Sequence, residues 1–144
     1  MPYEIAALTQ ELVYIRWEGA PTAEEGIEFI NAMHGFLNEA ERPIYFLSDL
    51  RKGCITRAAT LHKLTRMAEH PRWGGSVAFV GSGGMAVFET LFSHLTGRSD
   101  IEKEIRITPE EALVSLEILH PGLTHGIDWS PILGDNLNDA HQSL

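Results

Sequence analysis

A run of apolar residues from Ile44 to Leu47, extended by Ser48, ends on a carboxylate, Asp49, with Leu50 and Arg51 directly behind it. An acid at the carboxyl end of a buried strand lies where open α/β sheets gather their ligands. Asp49 could accept hydrogen bonds from a visitor. It could equally cap the next turn or pair with Arg51. A second apolar run, Ser76 to Val80, gives way to Gly81, Ser82, Gly83 and Gly84. Free amides in such a loop, ahead of a helix, can cradle an anion. The same glycines also let a chain turn tightly. The loop lacks the Gly-Lys-Ser/Thr of a Walker A motif and the Gly-x-Gly-x-x-Gly spacing of a dinucleotide site.

The remaining reactive side chains fall into no catalytic pattern. Cys54, the single cysteine, stands near Lys52 and Arg57, cations that can lower a thiol pKa, but it has no recognisable histidine partner. There are seven histidines. His62 and His70 are too far apart for one helical site, and His120 and His125 lie in a Pro/Gly-rich stretch. No His-Glu-x-x-His motif or cysteine companion accompanies them, so neither a metal nor a cofactor is expected. There is no Gly-x-Ser-x-Gly elbow. Thr56 and Thr60 offer hydroxyls near a helix start, where threonine commonly serves as a plain cap. The reading is of a non-enzymatic protein.

The elements that must position these residues follow from periodicity. Tyr3–Leu8 and Leu12–Trp17 are strand-like and joined by a link short enough only for an antiparallel hairpin. Thr22 and Glu25 form a capping box ahead of a helix to about Glu39. Ile27, Ile30, Met33 and Leu37 make its stripe, broadened by Phe29 and Phe36. Strand Ile44–Leu50 reads as a parallel central strand, apolar on both faces. A helix from about Thr56 to Glu69 follows, with Ala58, Leu61, Leu64, Thr65 and Ala68 inward, then the strand Ser76–Val80. A further helix, about Met85–Thr96, carries Phe88, Leu91, Phe92 and Leu95. A short strand Glu104–Ile107 leads to a last helix with Thr108 and Pro109 at its start. Alternating strands and helices imply a mainly parallel sheet. Residues 1–119 form one α/β domain on this reading, and 120–144 an irregular tail draped through Ile127 and Trp129.

Composition narrows the partners. The 144 residues are 44% hydrophobic and 22% charged, ordinary for a globular domain. Twenty acidic against 11 basic residues leave a net charge of −9, which disfavours nucleic acid and anionic membrane. The cations Arg51, Lys52, Arg57, Lys63, Arg66 and Arg72 read as a solvated flank. A lone cysteine, no apolar run long enough to cross a membrane and no signal peptide point to the cytoplasm. The stripes of the first and third helices are wider than one sheet face needs. Exposure of Phe29, Phe36, Val87 and Phe92 is therefore expected, and with it a homodimer.

Several short stretches carry a family resemblance: Ile15 to Gly19, Leu47 to Arg51, His70-Pro71, and Thr108 to Leu113. In pattern and order, over roughly residues 3–119, the chain resembles the SpoIIAA-like (STAS/SEC14-type) family of small bacterial proteins, divergent from the anti-sigma-factor antagonists. The resemblance implies a STAS-like five-stranded mixed sheet with an N-terminal β-hairpin and about four helices. It implies a binding or regulatory module engaging a protein partner through Asp49, Arg51, Thr56, Ser82 and Gly83. The Asp-Ser-Ser-Gly motif that carries the phosphorylatable serine of the antagonists is missing, and Cys54 to Thr60 stands in its place. The alternative is a carrier of a small lipid-like or anionic ligand. Its apolar pocket would lie between helices and sheet, with Met85, Phe88, Leu91 and Phe92 facing Leu61 and Leu64.

Overall fold

A computed structural model describes residues 3–81 and 105–134. The helix expected over Met85–Thr96, Val87 included, lies outside them, as do Ser82 and Gly83. The described residues form one five-stranded sheet: β1 (Tyr3–Ala7), β2 (Leu12–Gly19), β3 (Ile44–Gly53), β4 (Trp73–Phe79) and β5 (Ile105–Arg106). Spatial order equals chain order. β1 runs antiparallel to β2, and every other pair is parallel. The tight β1–β2 link permits only the former, and helical crossovers after β2 and β3 permit the parallel β2–β3 and β3–β4 pairs.

On one face lie α1 (Ala23–Glu39) and α2 (Ala58–Met67), packed over Val13, Ile15, Trp17 and Phe46. On the other lie α3 (Pro109–Leu119) and the short α4 (Ser130–Leu133), packed over Leu12, Tyr14, Leu47 and Phe79. Strict alternation along β2 and β3 sends successive side chains to these two cores.

α1 begins with the expected capping box. The Thr22 hydroxyl accepts from the Glu25 amide at 3.2 Å, and the Glu25 carboxylate accepts from the Thr22 amide at 2.8 Å. Its buried stripe is Gly26, Phe29, Ile30, Met33 and Leu37. Ile27, expected inward, is 51% exposed, because the buried arc is centred on the side of Gly26 and Met33. Phe29 also departs from expectation. It is 1% exposed, its ring meeting the Trp17 ring edge-on at 4.6 Å and the Tyr3 ring at 5.5 Å. The hairpin absorbs the extra width of the stripe. Phe36 packs half-buried against the same core. Among the described residues, the large apolar side chains that do reach solvent are Ile27, Ile107, Val114, Ile118 and Leu119.

α2 starts two residues later than its sequence suggests. Arg57 is extended at the N-cap and contributes no capping side chain, so Thr56 is outside the helix. The inward residues are Thr60, Leu61 and Met67, while Ala58 and Ala68 are exposed. His70 closes the following turn. Its Nδ1 accepts from the Arg72 amide at 3.0 Å, which leaves Nε2 to donate to Asn38 Oδ1 of α1 at 3.0 Å.

Beyond α3, residues 120–134 pack on the sheet through Leu123, Trp129 and Leu133, all buried. Glu117 organises the loop that leads there. Its carboxylate accepts from the amides of Gly122 and Thr124 and from the Thr124 hydroxyl, at 2.8, 2.7 and 2.6 Å. These bonds hold its pKa down at about 2.

At the carboxyl end of the sheet, Gly19 of β2 pairs with Gly53 of β3. A Cβ on Gly53 would lie 2.2 Å from the Gly19 carbonyl oxygen and 2.3 Å from its nitrogen, both backbone. Gly53→Ala must therefore part the two strand ends, at a cost of about 1–3 kcal/mol. Gly19→Ala meets no atom within 4 Å and strains only its backbone at φ +70°. That strain is about 1–2 kcal/mol. Amide chemical shifts of the folded variants check the contrast: Gly53→Ala is expected to perturb both strands, and Gly19→Ala only its own neighbours.

Candidate functional site

The end of β3 brings Asp49 and Arg51 together. Asp49 is 2% exposed, and its two oxygens accept four hydrogen bonds. Oδ1 accepts from Arg51 Nε at 2.9 Å and from the Arg51 amide at 3.2 Å. Oδ2 accepts from Arg51 Nη2 at 2.8 Å and from the Tyr14 hydroxyl at 2.7 Å. This is a bidentate carboxylate–guanidinium pair with a phenol as third donor. Burial pushes the Asp49 pKa up, but the bonds from Arg51 and Tyr14 outweigh it, and the net direction is down. Burial and the neighbouring carboxylate drive the Tyr14 phenol well above its ordinary value.

Arg51 is the outward member, its side chain 35% exposed. Nη1 donates to the Leu133 carbonyl at 3.2 Å, and the guanidinium carbon lies 5.1 Å from the centre of the Phe79 ring. Asp49 thus fixes the plane of Arg51, and Arg51 presents what remains to solvent. Thr56 is half-buried between β3 and α2. Ser82 and Gly83 lie outside the described residues, so the structure brings together only Asp49 and Arg51 of the five sequence candidates.

Two cavities flank this end. One, about 470 Å³, is bordered on the α1–α2 side by Trp17, Phe29, Leu61, Leu64 and Trp73 and reaches Ser115, Ile118 and Leu119 of α3. Cys54 also reaches it, and burial raises its thiol pKa. Leu61 and Leu64 are the residues expected to face a pocket; their expected counterparts Met85, Phe88, Leu91 and Phe92 lie outside the described residues. The second, about 430 Å³, is a groove between the first turns of α1 and α2. Sequence periodicity does not show it. It arises because Gly26 lets Thr60 approach so closely that a Cβ there would lie 2.8 Å from the Thr60 hydroxyl. Glycine facing a small hydroxyl residue on the next helix is the only signal of it. Among the described residues, no cluster of three or more His, Cys, Asp or Glu side chains is placed to hold a metal ion.

A hairpin followed by parallel strands in sequential order, with helices on both faces, is the STAS fold. The chain shares it with the unphosphorylated form of the anti-sigma factor antagonist SpoIIAA, with a TM-score of 0.59 and 16% identity, covering 80% of this chain and 96% of that one. The phosphorylated form of the Bacillus cell fate determinant SpoIIAA matches with a TM-score of 0.49 and 15% identity, covering 79% of this chain and 98% of that one. No family model matches the chain. No curated protein is similar to it in sequence. At these identities the likeness is one of fold.

Proposed function

We propose that the chain is a non-enzymatic, STAS-like regulatory module that engages a protein partner at the β3–α2 end of the sheet. The observation that supports this is the fold shared with a protein described as an anti-sigma factor antagonist, over nearly all of that protein's length. Arg51 and Thr56 belong to the contact surface, and Ser82 and Gly83 extend it; Asp49 serves it by holding Arg51. We place the module in the bacterial cytoplasm.

A photo-crosslinking amino acid at Thr56, with the same group at Val114 on the opposite face as control, tests the reading in lysate of the native host. One discrete protein adduct from Thr56, absent from Val114, is expected. Adducts from neither position, or equally from both, would overturn it.

Regulation by phosphate at this end is not part of the reading. Thr60 is 7% exposed, with its hydroxyl against Gly26, so a phosphate there would have to part α1 from α2. Thr56 carries no Asp-Ser-Ser-Gly context. Incubation with anti-sigma kinases and ATP is expected to leave both threonines unmodified by intact mass. Stoichiometric phosphate on either would refute this.

The apolar cavity favours a second reading, carriage of a small lipid-like ligand. Its volume of about 470 Å³ falls within the range of ligand pockets, roughly 300–1,000 Å³. Native mass spectrometry of freshly purified protein separates the two: a bound small molecule supports carriage, and bare protein supports the partner reading.

A further inference from the structure

The groove between the first turns of α1 and α2 combines an apolar floor with positive charge that no carboxylate among the described residues pairs. The exposed Ala58 and Ala59 leave room above it, and Ile27, 51% exposed, forms one wall. Arg57 and Lys63 complete the lining. Neither forms a salt bridge among the described residues; Arg57 makes only a long bond, 3.4 Å, to the Pro21 carbonyl. Arg66, one turn beyond Lys63, is exposed and likewise without a carboxylate. The α1 acids Glu24 and Glu28 are exposed but are not part of the lining. In a chain with 20 acidic residues and a net charge of −9, this groove is lined by two cations and no carboxylate among the described residues, with Arg66 a turn away.

We infer that this groove docks an acidic segment of a partner protein, with an apolar side chain seated on Ile27 and the two alanines and carboxylates set against Arg57 and Lys63. The inference rests on the partner-binding reading and specifies the partner's chemistry. The overall negative charge repels such a segment at long range. At contact, charges beyond about 8 Å are screened at physiological salt, so the local cations decide the outcome. Electrostatic complementarity of this kind selects the partner, while the buried apolar anchor supplies most of the affinity.

Selection of a random peptide library on the full chain tests this without knowledge of the natural partner. Enriched peptides are expected to carry Asp or Glu beside an aliphatic or aromatic residue. Their affinity is expected to fall at least about tenfold, 1.4 kcal/mol, on the double variant Arg57→Glu/Lys63→Glu, and to fall similarly on Ile27→Ser. All three substituted positions are exposed, and thermal melts confirm that the variants fold. Lys52→Glu, off the groove, is the control expected to bind as wild type does. Peptides without acidic bias, binding indifferent to the groove variants, or no enrichment would each overturn the inference. So would amide shifts in the groove produced by inorganic phosphate alone. Should Thr56 crosslink to a partner while the library shows no acidic bias, the partner reading stands and the groove assignment falls.

Discussion

Replacing Asp49 with alanine is expected to destabilise the fold by about 3–4 kcal/mol, near the lower end for breaking a buried ion pair. The size follows from what is stranded. Tyr14, 5% exposed, keeps a buried hydroxyl with no acceptor, worth about 1–3 kcal/mol. Arg51 loses three of its bonds but reaches water, which moderates its share. Asp49→Asn retains an acceptor and should cost about 2 kcal/mol. The pH dependence has a definite sign. Asp49 has a folded-state pKa below its ordinary 3.8, so its contribution is complete above that value and is lost as the pH falls through the lowered one. The gap between wild type and Asp49→Asn should therefore be widest near neutrality and close in acid. Tyr14 sets the opposite edge: its raised folded-state pKa means stability declines once the pH passes the ordinary 10.0 and unfolded tyrosine ionises. Tyr14→Phe should remove its part of that alkaline decline. Urea midpoints between pH 3 and 11 measure both edges. A melt of Asp49→Ala within 1 kcal/mol of wild type would contradict the pairing.

Phe29→Ala is the second large effect, expected at about 3–5 kcal/mol as a fully buried aromatic replaced by a methyl group. Phe29 holds the hairpin to α1 through edge-on contacts with Trp17 and Tyr3, and such aromatic pairs add about 0.5–1.5 kcal/mol beyond their area. It also borders the 470 Å³ cavity, so truncation enlarges a space already there. Phe29→Leu should recover more than half of the loss. Trp17 fluorescence, followed through a denaturant melt, reports the change. A loss under 1 kcal/mol would mean that the hairpin does not unfold with the rest of the sheet.

Much of the sheet is legible in the sequence because its signals are local. The short Thr9–Glu11 link dictates an antiparallel hairpin, and the apolar run ending at Asp49 marks a central strand. Thr22 with Glu25, and Thr108 with Pro109, mark helix starts that the structure reproduces. What periodicity cannot resolve is phase within a wide stripe: Ile27 and Phe29 exchange expected roles because the hairpin, not the helix, decides which flank is covered. Residues 120–134 carry no period, since Leu123, Trp129 and Leu133 are single anchors at uneven spacing. At Asp49 the sequence leaves capping, pairing and ligand binding open. Tyr14, 35 residues earlier, is the missing piece, and no local rule connects it to Asp49. The α1–α2 groove is hidden for the same reason, since it depends on Gly26 meeting Thr60 across two helices.

The bond from Arg51 to the Leu133 carbonyl spans 82 positions, whereas neighbouring strands are joined by their immediate successors. Contacts of short sequence separation close quickly, and those of long separation wait for the chain between them. During synthesis, β1, β2 and β3 with α1 and α2 have their partners as soon as they emerge. The opposite core, with Leu123, Trp129 and Leu133, cannot close until almost the whole described chain has left the ribosome. A released chain ending at residue 119 would therefore leave Leu12, Tyr14, Leu47 and Phe79 covered, among the described residues beyond the sheet, by α3 alone.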